Sequence, residues 1–163
     1  MIKNIKSHNL SLLNDKGDQI QKPCNCRNKQ ECPLNGDCRQ TSIIYKATVK
    51  SNIEEKYYFG LTAGEFKTRY YNHTLSFRTK PEKAPSELAK YIWTLKDKNI
   101  DFKLHWNIVA RSMPYKGGTR KCDLCLMEKL YIATSEQSKL LNKKSELISK
   151  CRHRNKFYLK FIK

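Results

Sequence analysis

No stretch of this chain stays apolar for the roughly 18 residues that a membrane-spanning helix needs, and residues 1–22 lack the apolar centre of a secretory leader. Both absences point away from a membrane or secreted protein and toward a reducing, intracellular setting. Acidic residues are scarce, 15 against 33 Lys and Arg, which leaves a formal net charge of +18 over 163 residues. Such an imbalance implies an anionic partner, and nucleic acid is the first candidate. The cysteine count is seven, an odd number that fits a disulfide framework poorly. In a reducing compartment metal ligation outranks disulfide pairing.

What is present is unevenly distributed. Residues 1–22 hold one weak apolar patch, Leu10, Leu12 and Leu13, and read as a flexible arm or a short helix. Residues 23–40 carry Cys24, Cys26, Cys32 and Cys38 among turn makers such as Pro33 and Asn35-Gly36. That segment has too few apolar residues to make a core, so something else must order it. Four thiolates so close in sequence can close a tetrahedral Zn²⁺ site. A second set, Cys122, Cys125, Cys151 and His153, has the composition of a Cys3His site. Spacing alone leaves open whether the two sets stay separate or mix, and so whether one zinc or two is bound.

Residues 41–163 form the main domain. Ser42–Ser51 alternates Ile43, Tyr45, Ala47 and Val49 against a wetter, basic face of Ile44, Lys46, Thr48 and Lys50, as a strand does. A turn over Asn52–Glu55 returns the chain through Tyr57–Leu61, placing Tyr45 and Tyr58 on neighbouring strands. Gly60 is expected to end the second strand, since glycine tolerates positive φ. From Phe66 the period turns helical: Phe66, Tyr70, His73 and Phe77 share one face, and Arg69 and His73 project together at i and i+4. Ser86 caps the next helix, with Glu87 in its first turn, where a carboxylate favours the helix dipole. Phe102–Ala110 alternates as a third strand, with His105 on its exposed face and without a role. A helix follows the Cys122–Cys125 pair, another is expected from Ser145, and residues 152–163 are basic and aromatic. The fold class expected is α+β: a small three-stranded antiparallel sheet flanked by helices, with a cysteine-rich, zinc-binding appendage.

Tyr45, Tyr58, Arg69, His73, Glu128 and Asn142 occur in a familiar order. Ile43-Ile44-Tyr45, Tyr58-Phe59-Gly60, the Arg69–His73 pair, Glu128 and the late Asn142 together resemble the GIY-YIG nuclease superfamily. With cysteines on both flanks, the chain looks like the endonuclease domain of Penelope-like retroelements, over roughly residues 23–156. Two departures stand out: Ile43 replaces the first motif's glycine, and the Gly60-to-Arg69 interval is slightly long. The resemblance implies a metal-dependent DNA endonuclease that leaves a 3′-hydroxyl, acting in the nucleus beside a partner or fused reverse transcriptase. It implies that Glu128 holds one Mg²⁺ or Mn²⁺, that Arg69 stabilises phosphate charge and that Tyr58, acidified, is the general base. Tyr45 and His73 would orient or relay the proton, and Asn142 would hold the metal site or the phosphate. The alternative is a zinc-stabilised nucleic-acid-binding module whose nuclease site is inactive; weaker still is a structural domain that docks on another protein.

Overall fold

The structure, a computed structural model, describes residues 22–115, 122–151 and 153. The arm up to residue 21, most of the glycine-containing loop at 116–121 and the basic C-terminal stretch from residue 154 lie outside the described residues.

Alternation between apolar and mixed positions produces three strands: β1 (Ile43–Ser51), β2 (Glu55–Thr62) and β3 (Phe102–Arg111). They form one antiparallel sheet in the order β2-β1-β3. Helices α1 (Phe66–Arg78) and α2 (Glu87–Asp97) lie between β2 and β3 in sequence, and α3 (Asp123–Thr134) follows β3. Period-two geometry splits the core into two layers. Ile43, Tyr45, Ala47, Val49, Tyr58 and Trp106 pack with Phe66 of α1 and with Leu88, Ile92 and Leu95 of α2. On the other face Ile44, Tyr57 and Phe59 meet Leu124 and Ile132 of α3. The face of β1 expected to be wet is therefore covered at its Ile44 end, where a helix lies over it, and open only toward Lys50.

Register fixes the site. Tyr45 pairs with Gly60 and Ala47 with Tyr58, so both tyrosines share the face covered by α1 and α2. Gly60 does not end β2, which continues to Thr62. Its function is clearance: a methyl group built at Gly60 would lie 2.5 Å from Tyr45 Cζ and against the hydroxyl oxygen. Gly60→Ala is expected to cost about 1–3 kcal/mol by overpacking; a chemical-denaturation curve matching the wild type would refute the close approach.

Ser42 takes the left-handed conformation, φ 50°, while Ile43 is fully buried and pairs regularly with Thr62 and Arg111.

The outer edge of β2 is closed by side chains and loop backbone rather than by a fourth strand. Tyr57 N–H donates to Lys139 O at 2.9 Å and Leu141 N–H to Tyr57 O at 2.8 Å. Two residues on, Asn142 clamps Phe59, accepting its N–H and donating to its carbonyl, both at 2.8 Å. Two further on, the Leu61 N–H faces the Glu128 carboxylate and favours its charged form. Unpaired edge groups are thereby satisfied at successive outward positions. Ser145 does not start an α-helix; Lys144–Ile148 is a single 3-10 segment.

Candidate active site

The i, i+4 pair on α1 brackets one hydroxyl. Arg69 Nε donates to Tyr45 Oη at 3.1 Å, and Tyr45 Oη lies 2.9 Å from His73 Nε2. Burial, and secondarily the Arg69 charge, pushes His73 down to about 3, so it is neutral near pH 7. With Arg69 occupying an oxygen lone pair, the Tyr45 O–H is free to donate to the unprotonated His73 Nε2. Tyr45 is 0% exposed and His73 5% exposed. Both are buried, and through Tyr45 they hold the guanidinium from behind.

Burying His73 as a neutral imidazole has a measurable cost in acid. Its folded pKa of about 3 lies below the usual 6.5. Between those values the unfolded chain binds the extra proton, so stability falls as pH drops through that window. The His73 share of that loss is on the order of 3 kcal/mol by pH 4. Urea titrations of the wild type and His73→Gln from pH 7 to pH 4 should converge as the pH falls; parallel curves would refute the buried neutral histidine.

Tyr58, Arg69 and Glu128, from β2, α1 and α3, line one cleft of about 380 Å³ with Leu61, Ser86, Glu146 and His153. Glu128 is half-buried; burial first and Glu146 second lift its carboxyl to about 7, against the pull of Arg69, Lys129 and the Leu61 N–H. Tyr58 departs from expectation. Burial raises the proton affinity of its phenol, and the nearby Tyr45, Glu146 and Glu128 add to the rise, while Arg69 opposes it. The protein by itself does not acidify Tyr58. A somewhat larger concavity of about 420 Å³ runs along β3, but its Asp37 and Arg111 pair with each other at 3.5 Å and leave no comparable chemistry.

Asn142 has both of its amide hydrogens committed. Besides its two bonds to Phe59, its amide nitrogen donates to Glu146 Oε2 at 2.7 Å. Glu146 is the cleft residue that sequence reasoning missed. Lys143 N–H donates to Glu146 Oε1 at 3.2 Å, but a lysine at the N-cap position cannot accept in return and leaves no capping signal in the sequence. Glu87 keeps its first-turn place in α2, behind the Ser86 cap, and pairs with Lys143 at 2.5 Å.

The cysteines sort into two groups, which settles the grouping that spacing left open. Cys24, Cys26, Cys32 and Cys38 form one; Cys122, Cys125, Cys151 and His153 form the other; within each, all ligand atoms lie within 4.8 Å of one another. In the first, Cys26 and Cys38 Sγ are 3.6 Å apart and Cys38 and Cys24 Sγ 3.5 Å. These separations are too long for a disulfide and near the edge of about 3.8 Å that Zn–S bonds of about 2.3 Å give a tetrahedron. A left-handed turn at Asn35 and Gly36, φ 50° and 107°, brings Cys32 and Cys38 together, and Gly36 N–H donates to Cys32 Sγ at 3.1 Å. In the second group, Cys125 Sγ lies 3.1 Å from His153 Nδ1 and 3.6 Å from Cys151 Sγ. Burial and the adjoining thiols raise the affinity of Cys38 and Cys125 for their protons, a tension that a divalent cation relieves. Both groups can hold a metal ion such as zinc. No family model matches the chain, and no curated protein or solved structure matches it.

Proposed function

We propose that the chain is a divalent-cation-dependent endonuclease that hydrolyses phosphodiester bonds in DNA and leaves a 3′-hydroxyl, with two structural zinc ions holding its flanks. The observation that carries this reading is the convergence of Tyr58, Arg69 and Glu128, far apart in sequence, on a single cleft in a chain of net charge +18. Arg69 is held by Tyr45 with its terminal nitrogens left to fork onto two phosphate oxygens. The half-buried Glu128 supplies hard oxygen donors of the kind Mg²⁺ or Mn²⁺ takes. A cation there would neutralise charge on the phosphate and stabilise the leaving oxygen. Tyr58 orients the attacking water through its hydroxyl, accepting a hydrogen bond from it; burial makes the phenol a reluctant acid. The resemblance to GIY-YIG nucleases of retroelements adds a setting: a nuclear enzyme whose 3′-hydroxyl product would prime a reverse transcriptase.

Supercoiled plasmid incubated with zinc-loaded protein and Mg²⁺ is expected to be nicked. Glu128→Gln should lower the rate by about 10²-fold or more, the equivalent of several kcal/mol of charge stabilisation. One observation favours a second reading, a zinc-stabilised module that binds nucleic acid without cutting it: the raised proton affinity of Tyr58. DNA binding by the wild type with no nicking in Mg²⁺ or Mn²⁺ would select that reading.

A further inference from the structure

Carboxylates are few here, and several ion-pair with nearby basic groups: Glu65 with Arg39, Asp97 with Lys80, Glu87 with Lys143, Glu136 with Lys139. Glu128 and Glu146 differ. Both line the same cleft, and among the described residues neither forms an ion pair with a basic side chain.

Glu146 is held by neutral donors alone. The Asn142 amide reaches one oxygen at 2.7 Å and the Lys143 N–H the other at 3.2 Å. Asn142 cannot swing away, because both ends of its amide are bound to the Phe59 backbone at 2.8 Å. Glu128 lies by the Leu61 N–H, which favours its charged form. The two carboxylates thus sit at alternate residues of the outer edge of β2, Glu146 tied to Phe59 through Asn142 and Glu128 near Leu61. Each oxygen of Glu146 accepts a single hydrogen bond and keeps a lone pair free.

Tyr58 points independently to a ligand. Its side chain is 7% exposed and lines the cleft, yet among the described residues its hydroxyl has no hydrogen-bond partner. An unsatisfied buried hydroxyl costs roughly 1–3 kcal/mol, and a bound cation's water shell would complete it.

We propose that Glu146 is the second carboxylate of the cleft's cation site, so that one Mg²⁺ or Mn²⁺ lies between Glu128 and Glu146 while Asn142 orients Glu146 and touches neither cation nor phosphate. This rests on the cation-dependent reading of the cleft and adds to it a ligand and a role. Two carboxylates with water suit a hard cation, whereas the thiol-rich groups nearby suit zinc. The pairing also explains why two carboxylates face one cleft lined by Arg69 and Lys150 without either forming a close ion pair.

Titration of Mn²⁺ into zinc-loaded protein without nucleic acid, followed by the electron paramagnetic resonance signal of free Mn²⁺, tests the assignment. Glu128→Gln and Glu146→Gln are each expected to weaken binding by about 10–100-fold, and Asn142→Ala by a similar factor through disorientation of Glu146. Glu146→Asp, which keeps the charge but withdraws the oxygens, should bind several-fold more weakly while melting like the wild type without Mn²⁺. Wild-type Mn²⁺ affinity in a folded Glu146→Gln or Glu146→Asp protein would overturn the role of Glu146, and nicking by the wild type would leave the nuclease reading intact. Mn²⁺ binding through both carboxylates without nicking would do the reverse. A wild type that binds no Mn²⁺ would overturn both.

Discussion

Stripped of metal by a strong chelator, the chain is expected to lose both flanks of its fold, and freshly purified protein should contain two zinc ions per chain. The first cluster holds a segment with little else to order it: of residues 23–40, only Cys32, Leu34, Cys38 and Gln40 are buried. That segment in turn starts α1. Lys67 N–H donates to Cys38 O at 2.6 Å and Phe66 N–H to Gln40 O at 3.0 Å. Glu65, at the N-cap position, makes no capping bond; its carboxylate is engaged by Arg39 through two hydrogen bonds of 3.1 Å. Losing the first cluster should therefore fray the helix that carries Arg69 and His73. The second cluster joins the first turn of α3 to Cys151 and His153, and Cys125 and His153 both line the cleft. Structural zinc contributes about 10–16 kcal/mol in small zinc domains, comparable with the 5–15 kcal/mol of total stability usual for a domain. Cys125→Ser should leave one zinc, lower the melting midpoint sharply and abolish nicking. Elemental analysis that finds no zinc, or an unchanged midpoint in Cys125→Ser, would count decisively against the structural-zinc assignment.

Most of the sheet could be read from local pattern. The alternation in β1 and β3 and the short turn between β1 and β2 are local signals, and they placed Tyr45 and Tyr58 on neighbouring strands correctly. The helical period from Phe66 and the Ser86 cap are local as well, and Ser86 accepts the Ala89 N–H at 3.2 Å as a capping residue should. What remained hidden depended on contacts between distant segments. Gly60 reads as a strand breaker until Tyr45 is seen lying across it from the neighbouring strand. Nothing in the neighbourhood of Asn142 in sequence reveals that it also clamps the Phe59 backbone at the edge of β2. Glu146 was overlooked because its carboxylate matters only once the 3-10 turn and Glu128 of α3 line one cleft. The two cysteine sets were legible in the sequence, but only three dimensions show that they stay separate rather than mix. The raised proton affinity of Tyr58 is a burial effect, and burial depends on how α1 and α2 cover the sheet.

Arg69→Ala is expected to reduce single-turnover nicking by about 10³–10⁵-fold, the range over which an arginine stabilises a phosphoryl transition state. Position as well as charge produces the effect, and the supporting bonds separate the two. Arg69 uses Nε to grip Tyr45 at 3.1 Å, so Arg69→Lys keeps a positive charge but loses both the grip and the planar fork. It should recover little of the lost rate. Tyr45→Phe removes only the hydroxyl that fixes the guanidinium, and roughly a tenfold loss in rate is the appropriate scale for one misplaced hydrogen-bonding group. Because Tyr45 acts through Arg69, the two effects must not add: Arg69→Ala with Tyr45→Phe should be no slower than Arg69→Ala alone. Additive losses would mean that Tyr45 meets the substrate directly, and near-normal nicking by Arg69→Lys would remove the guanidinium from the mechanism. Both outcomes conflict with a tyrosine that is 0% exposed behind an arginine lining the cleft. The double variant is therefore the sharpest test of whether the buried Tyr45–His73 pair serves the reaction by holding one guanidinium still.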